Sequence, residues 1–194
     1  MIEQSIIRKR IQTERENLSK ENRAKYSSEI CQQIVNNGIL SDAQHIAFYL
    51  PVRGEADPTY LQGLSQFSEK RFYLPILSAT NKSHLEFALY NEQTPMKLNR
   101  FGIPEPDIDP TDLLTDPRKL DAVIMPMVAI DRSGNRIGMG GGFYDRTFAF
   151  RKTKSCKPHL IAFAYDLQLI ETQNPQPWDV PSDSIALQSK FVKL

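Results

Sequence analysis

The chain is 194 residues long, 40% hydrophobic and 24% charged, with a formal net charge of +1. That length suits one domain with a sizeable core, and the near-neutral balance argues against nucleic acid or an acidic membrane surface as partner. Arg8, Lys9 and Arg10 interrupt any signal-peptide pattern, and no stretch reaches the roughly 20 apolar residues of a membrane helix, so a cytoplasmic protein is expected, with a monomer as the default.

Residues 1–40 read as a helical N-terminal part of one 1–194 domain. Ile2, Ile6, Ile7, Ile11 and Leu18 make a rough helical stripe. Arg8 lies on that helix with Lys9, Arg10 and Arg15, by default a solvated basic face, more sharply a phosphate clamp. Ser19 can cap a second helix whose Tyr26, Ile30, Cys31, Ile34 and Val35 line one face, ending at Asn36-Asn37-Gly38. His45 to Leu50 is a short buried strand. Asp57-Pro58 is an N-cap and N1 pair for a helix carrying Leu61, Leu64 and Phe67.

Arg71 to Leu77 and Leu85 to Tyr90 predict two strands joined by a polar turn. Residues 91–118, rich in proline and aspartate, read as a long surface loop. Ala122 to Ile130 is the most apolar strand, leading directly into a glycine-rich run. His159 to Tyr165 is a further strand and Ile185 to Val192 a last one. The alternation predicts an α/β sheet with helices on both faces, and ligands gather beyond the carboxyl ends of such strands.

The glycine run is the most informative stretch. Gly138, Gly140, Gly141 and Gly142 fall within five positions and lead into Phe143-Tyr144-Asp145-Arg146. A backbone without Cβ atoms bends through positive φ and brings its N–H groups close to a ligand. Phe143 to Phe150 reads as a helix start, which favours phosphate. The run lacks the Lys-Ser/Thr of a Walker loop, and Phe143 stands where G-x-G-x-x-G needs its third glycine; a purely geometric turn is the bland alternative. Asp145 and Asp179 could supply the one or two carboxylates that Mg²⁺ uses beside substrate phosphates, although capping turns explain isolated aspartates too. Glu55 could accept hydrogen bonds from a substrate; its default role is a solvated loop carboxylate. Phe101 is either a satellite core residue or a wall for a flat ring. Cys31, Cys156 and the three histidines show no metal-type spacing, so neither zinc nor a cysteine nucleophile is expected.

In this order, Ile7-Arg8, Tyr49 to Asp57, Phe101-Gly102-Ile103-Pro104-Glu105-Pro106, Met125-Pro126, Gly134 to Asp145 and Asp179-Val180-Pro181-Ser182-Asp183 resemble the 5-formyltetrahydrofolate cyclo-ligase family, also called 5,10-methenyltetrahydrofolate synthetase. The resemblance covers nearly the whole chain. It implies a fold similar to the ribose-phosphate isomerase/CoA-transferase group. It implies ATP-dependent closure of 5-formyltetrahydrofolate to 5,10-methenyltetrahydrofolate through a phosphorylated formyl group. By the same resemblance Arg8, Arg136, Ile137, Gly138, Met139, Gly140, Gly141, Gly142, Phe143 and Tyr144 bind ATP. Gln4 joins them, standing where many members carry lysine. Leu50, Glu55, Phe101, Met139, Gly140, Gly141, Gly142 and Phe143 contact the folate. Glu55 and Tyr144 are the catalytic candidates, and Asp145 and Asp179 hold Mg²⁺. Trp178 replaces a histidine common in bacterial members. The alternative from another class is a non-catalytic folate- or nucleotide-binding protein.

Overall fold

The computed structural model describes residues 2–153, 156–171 and 174–194. Two helices lead, α1 (Ile2–Glu16) and α2 (Lys20–Asn36). Ser19 caps α2 by accepting the Asn22 N–H at 3.1 Å, and Gly38 supplies the positive φ of 62° just beyond its end. The strands β1 (His45–Ala47), β2 (Arg71–Leu77), β3 (Leu85–Leu89), β4 (Met96–Leu98), β5 (Pro104–Pro106), β6 (Ala122–Met125), β7 (Ala129–Asp131) and β8 (Arg136–Ile137) follow. A five-residue helix, α3 (Phe143–Thr147), precedes β9 (His159–Phe163), β10 (Leu169–Ile170), β11 (Ser184–Ala186) and β12 (Phe191–Lys193).

Among the described residues, seven strands form a sheet in the order β12-β11-β9-β6-β1-β2-β3, parallel except for β12 and β3 at its edges. One face, with Ile46, Phe72, Leu74, Ile124 and Ile161, packs on Ile30, Cys31 and Ile34 of α2. The other, with Ala47, Val123, Met125, Leu160 and Ala162, packs on Phe148 after α3. Burial on both faces is why β6 and β9 read as unbroken apolar runs. Helices therefore cover both faces, as expected. A smaller sheet, β10-β7-β8, takes Ile11 of α1 against Val128, Ala129 and Ile137.

Five local expectations are corrected. The 122–130 strand is two, because Pro126 has no N–H to continue the ladder and the chain leaves for the smaller sheet; the glycine run therefore follows β8. The helix expected after Asp57 is two 3₁₀ turns, Pro58–Leu61 and Ser65–Phe67, separated where Leu64 is extended (φ −82°, ψ 129°) after Gly63. Residues 91–118 hold the antiparallel β4–β5 hairpin and two 3₁₀ turns capped by Asp109 and Asp116. The last strand is a β11–β12 hairpin. The helix begun at Phe143 stops at Thr147.

The turn between β7 and β8 positions the site. Buried Asp131 accepts the Ser133 and Asn135 N–H groups at 2.8 and 3.0 Å, and Gly134 accepts the Ser182 N–H at 3.0 Å, joining the turn to the segment before β11. Gly134 has φ +83°, and a Cβ there would meet the Ser182 carbonyl oxygen at 2.7 Å. Gly134→Ala is expected to destabilise the fold by about 1–3 kcal/mol, measured by urea unfolding; an unchanged midpoint would contradict the strain.

Candidate active site

A cleft of about 570 Å³ lies beyond the carboxyl ends of β1, β2 and β6, where open α/β sheets bind ligands, and is large enough for a drug-sized molecule. Leu50, Glu55, Phe101, Arg136, Gly138, Met139, Gly141, Gly142, Phe143, Tyr144 and Asp145 line it. Gln4, Arg8, Ile137, Gly140 and Asp179 do not. Gln4 accepts from Arg8 Nη2 at 3.2 Å, and Ile137 is buried against Ile11.

The segment after β1 turns tightly, with Arg53 and Gly54 at φ 50° and 73°, and folds Glu55 inward. Glu55 is 7% exposed, which overturns its default reading as a solvated carboxylate. Its Oε2 accepts the Val52 N–H at 3.1 Å, and its Oε1 lies 3.7 Å from Arg15 Nη1. Burial pushes the Glu55 carboxyl above its ordinary value, while Arg15, the Val52 N–H and Arg53 oppose the rise.

Arg15 is itself fully buried, not on a solvated face. Its Nε donates to the Arg53 carbonyl at 3.1 Å and its Nη1 to that of Met127 at 3.2 Å, whereas Nη2 has no acceptor among the described residues. Arg15 falls four residues after Ile11 on the apolar stripe, and that register was the signal that it points inward.

α1 also holds the glycine run. Arg8 Nε donates to the Gly138 carbonyl at 2.8 Å, and Gln12 Nε2 approaches Met139 Sδ at 3.1 Å. Gly140 and Gly142 take φ 97° and 63°. The N–H groups of Met139, Gly140, Gly141 and Gly142 find no acceptor among the described residues. Because α3 has only five residues, the macrodipole adds little; affinity for an anion rests on these loop amides.

Asp145 Oδ1 accepts from Arg136 Nη2 at 2.7 Å and from the Val180 N–H at 3.1 Å, and Arg136 Nη1 donates to the Val180 carbonyl. Burial pulls Arg136 below its ordinary value; Asp145, Tyr144 and Asp179 oppose it, so all three lie within electrostatic reach. Asp179 Oδ2 accepts the Gln176 N–H at 2.8 Å. Burial pushes the Tyr144 phenol up, Glu55 adds to the rise and Arg136 opposes it; Tyr144 is a hydroxyl donor near neutral pH, not a base. Phe101, 55% exposed, sits edge-on to Phe143 at 5.9 Å, with Arg100 4.9 Å over its ring. It is a wall of the cleft, not core. No three His, Cys, Asp or Glu side chains come together as a metal site among the described residues, and none of the described helices is long and apolar enough to cross a membrane.

The description "5-formyltetrahydrofolate cyclo-ligase family" belongs to the family model that matches residues 1–188. The 5-formyltetrahydrofolate cyclo-ligase of Haemophilus influenzae is 37% identical over 175 residues, 90% of this chain and 92% of that protein. That of Escherichia coli K12 is 38% identical over 148 residues, 76% and 80% of the two chains. The NMR structure of Aquifex aeolicus 5,10-methenyltetrahydrofolate synthetase aligns with a TM-score of 0.79 at 27% identity, covering 98% of this chain and 92% of that one. With a family match over nearly its whole length and two such relatives, the chain belongs to the 5-formyltetrahydrofolate cyclo-ligase family of enzymes.

Proposed function

We propose that the cleft closes 5-formyltetrahydrofolate to 5,10-methenyltetrahydrofolate while ATP becomes ADP and phosphate. The observation that carries this is the meeting, in one cleft, of a buried carboxylate at Glu55 with a glycine loop whose amides lack acceptors among the described residues.

A formyl group on nitrogen-5 is amide-like and a poor electrophile. Transfer of the ATP γ-phosphoryl group to its oxygen breaks the bond to ADP and forms an imidate phosphate. Nitrogen-10 then attacks the formyl carbon, the carbon–oxygen bond breaks, and phosphate leaves with the electron pair. Such chemistry asks for positioning and charge neutralisation, not a protein nucleophile. The amides from Met139 to Gly142 would bind the phosphates, joined by Arg8 from α1, which Gln4 orients. Tyr144 would donate its hydroxyl to the transferring group. Glu55, made more basic by burial, would accept the proton that nitrogen-10 loses. Phe101, Leu50 and Phe143 would hold the rings.

Magnesium fits the residues present. Asp145 Oδ2 and Asp179 Oδ1 have no partner among the described residues, and two hard oxygens beside phosphates are a usual Mg²⁺ set. The ion would neutralise charge on the ATP phosphates when bound.

The test is ultraviolet absorbance with 5-formyltetrahydrofolate and MgATP, against mixtures lacking one component. A methenyl band growing only in the complete mixture is expected. Folate binding by folded protein without any band would favour a non-catalytic binder.

A further inference from the structure

We propose that Glu105 selects the pteridine ring, its carboxylate accepting from the 2-amino group and the neighbouring ring N–H of the pyrimidinone edge. This rests on the folate reading above and assigns one end of the substrate to a residue not yet given a role.

Glu105 stands on β5, in the segment expected to be a surface loop, yet it is 7% exposed and lines the cleft beside Leu77, Leu85 and Ile103. Its Oε2 accepts the Leu77 N–H at 3.3 Å and Asn99 Nδ2 at 3.2 Å. Its Oε1 has no partner among the described residues. The carboxylate is largely withdrawn from water beside apolar side chains, where its charge favours donors, and Oε1, open to the cleft, keeps two lone-pair sites for them. Of the two substrates, the pteridine offers two adjacent donors on one edge. Adenine offers a single amine beside ring acceptors, which would face the carboxylate unfavourably.

The sheet supports this assignment. Leu77 ends β2, which neighbours β1, and Glu55 lies in the loop after β1. Pro126, at the end of β6 on the other side of β1, also lines the cleft. A pteridine anchored at Glu105 would point its formyl-bearing side towards Glu55 and the glycine run.

The experiment compares wild type with Glu105→Gln, using 5-formyltetrahydrofolate and its analogue with methyl in place of the 2-amino group. Glutamine keeps an acceptor for Leu77 and Asn99 but turns a donor towards the ligand. The KM for folate is expected to rise roughly 10- to 100-fold, with that for ATP changed less than about threefold. Wild type should reject the analogue by a similar factor, and Glu105→Gln should lose that discrimination. Equal preference for parent over analogue in both proteins would overturn the proposal, as would a wild type indifferent to the 2-amino group. If wild type forms no methenyl product, the cyclo-ligase reading falls instead. Folate dissociation constants from equilibrium dialysis then make the same comparison.

Discussion

Asp145→Asn is expected to reduce ATP-dependent turnover about 10²- to 10³-fold, the scale of losing one electrostatic contact to a transferring group, while folate affinity changes little. The amide keeps an oxygen for Arg136 Nη2 and the Val180 N–H, so the geometry survives and the charge does not. Arg136, whose side chain is 5% exposed, would lose its counter-charge. Asp145 is 24% exposed, which moderates the loss, and about 1–3 kcal/mol of stability should go with it. Turnover, folate binding and urea unfolding measured on one preparation separate these effects. Turnover within tenfold of wild type at saturating Mg²⁺ would remove Asp145 from the phosphate site. A fall in folate affinity equal to the fall in turnover would show a site that collapsed rather than one that lost a charge.

The core strands were legible because burial on both faces leaves no choice of residue: Ile46 to Tyr49, Ala122 to Met125 and Leu160 to Tyr165 are apolar wherever they are read. Caps were legible where the chemistry is local, as at Ser19 and Asp57. What failed was non-local. Pro126 ends a ladder only because β6 lies between two partners, and residues 96–106 pair as a hairpin with no alternation to announce it. For the site, the glycine run, Glu55 and Phe101 were visible and come together in the cleft. Arg15 was hidden by its charge and Glu105 by its prolines. Arg15 still carried a signal in its register, one helical turn after Ile11, whereas Glu105 is buried by tertiary packing that neither periodicity nor composition reveals.

Helix α1 joins the two halves of the site, since Arg8 holds the glycine run and Arg15, on the same helix, faces Glu55. Arg15→Met is therefore expected to move the acid limb of kcat/KM to higher pH. Burial already raises the Glu55 carboxyl, and Arg15 is the largest influence opposing that rise. The sign for stability follows from linkage. Between the ordinary glutamate value of about 4.3 and the raised native value, the folded protein holds a proton that the unfolded chain has released, so stability falls as pH rises through that window. Without Arg15 the native value climbs further, the window widens upward, and the loss near neutral pH should reach about 3 kcal/mol. Below the unfolded value both states are protonated and the part of the difference carried by Glu55 should vanish, leaving the effect of losing the Arg15 hydrogen bonds to the Arg53 and Met127 carbonyls. The double variant Arg15→Met with Glu55→Gln should recover most of that stability, because two buried neutral groups replace a lone buried charge, yet remain inactive. A pH profile unmoved by Arg15→Met, or a double variant no more stable than the single one, would mean that Arg15 only fills space beneath the cleft.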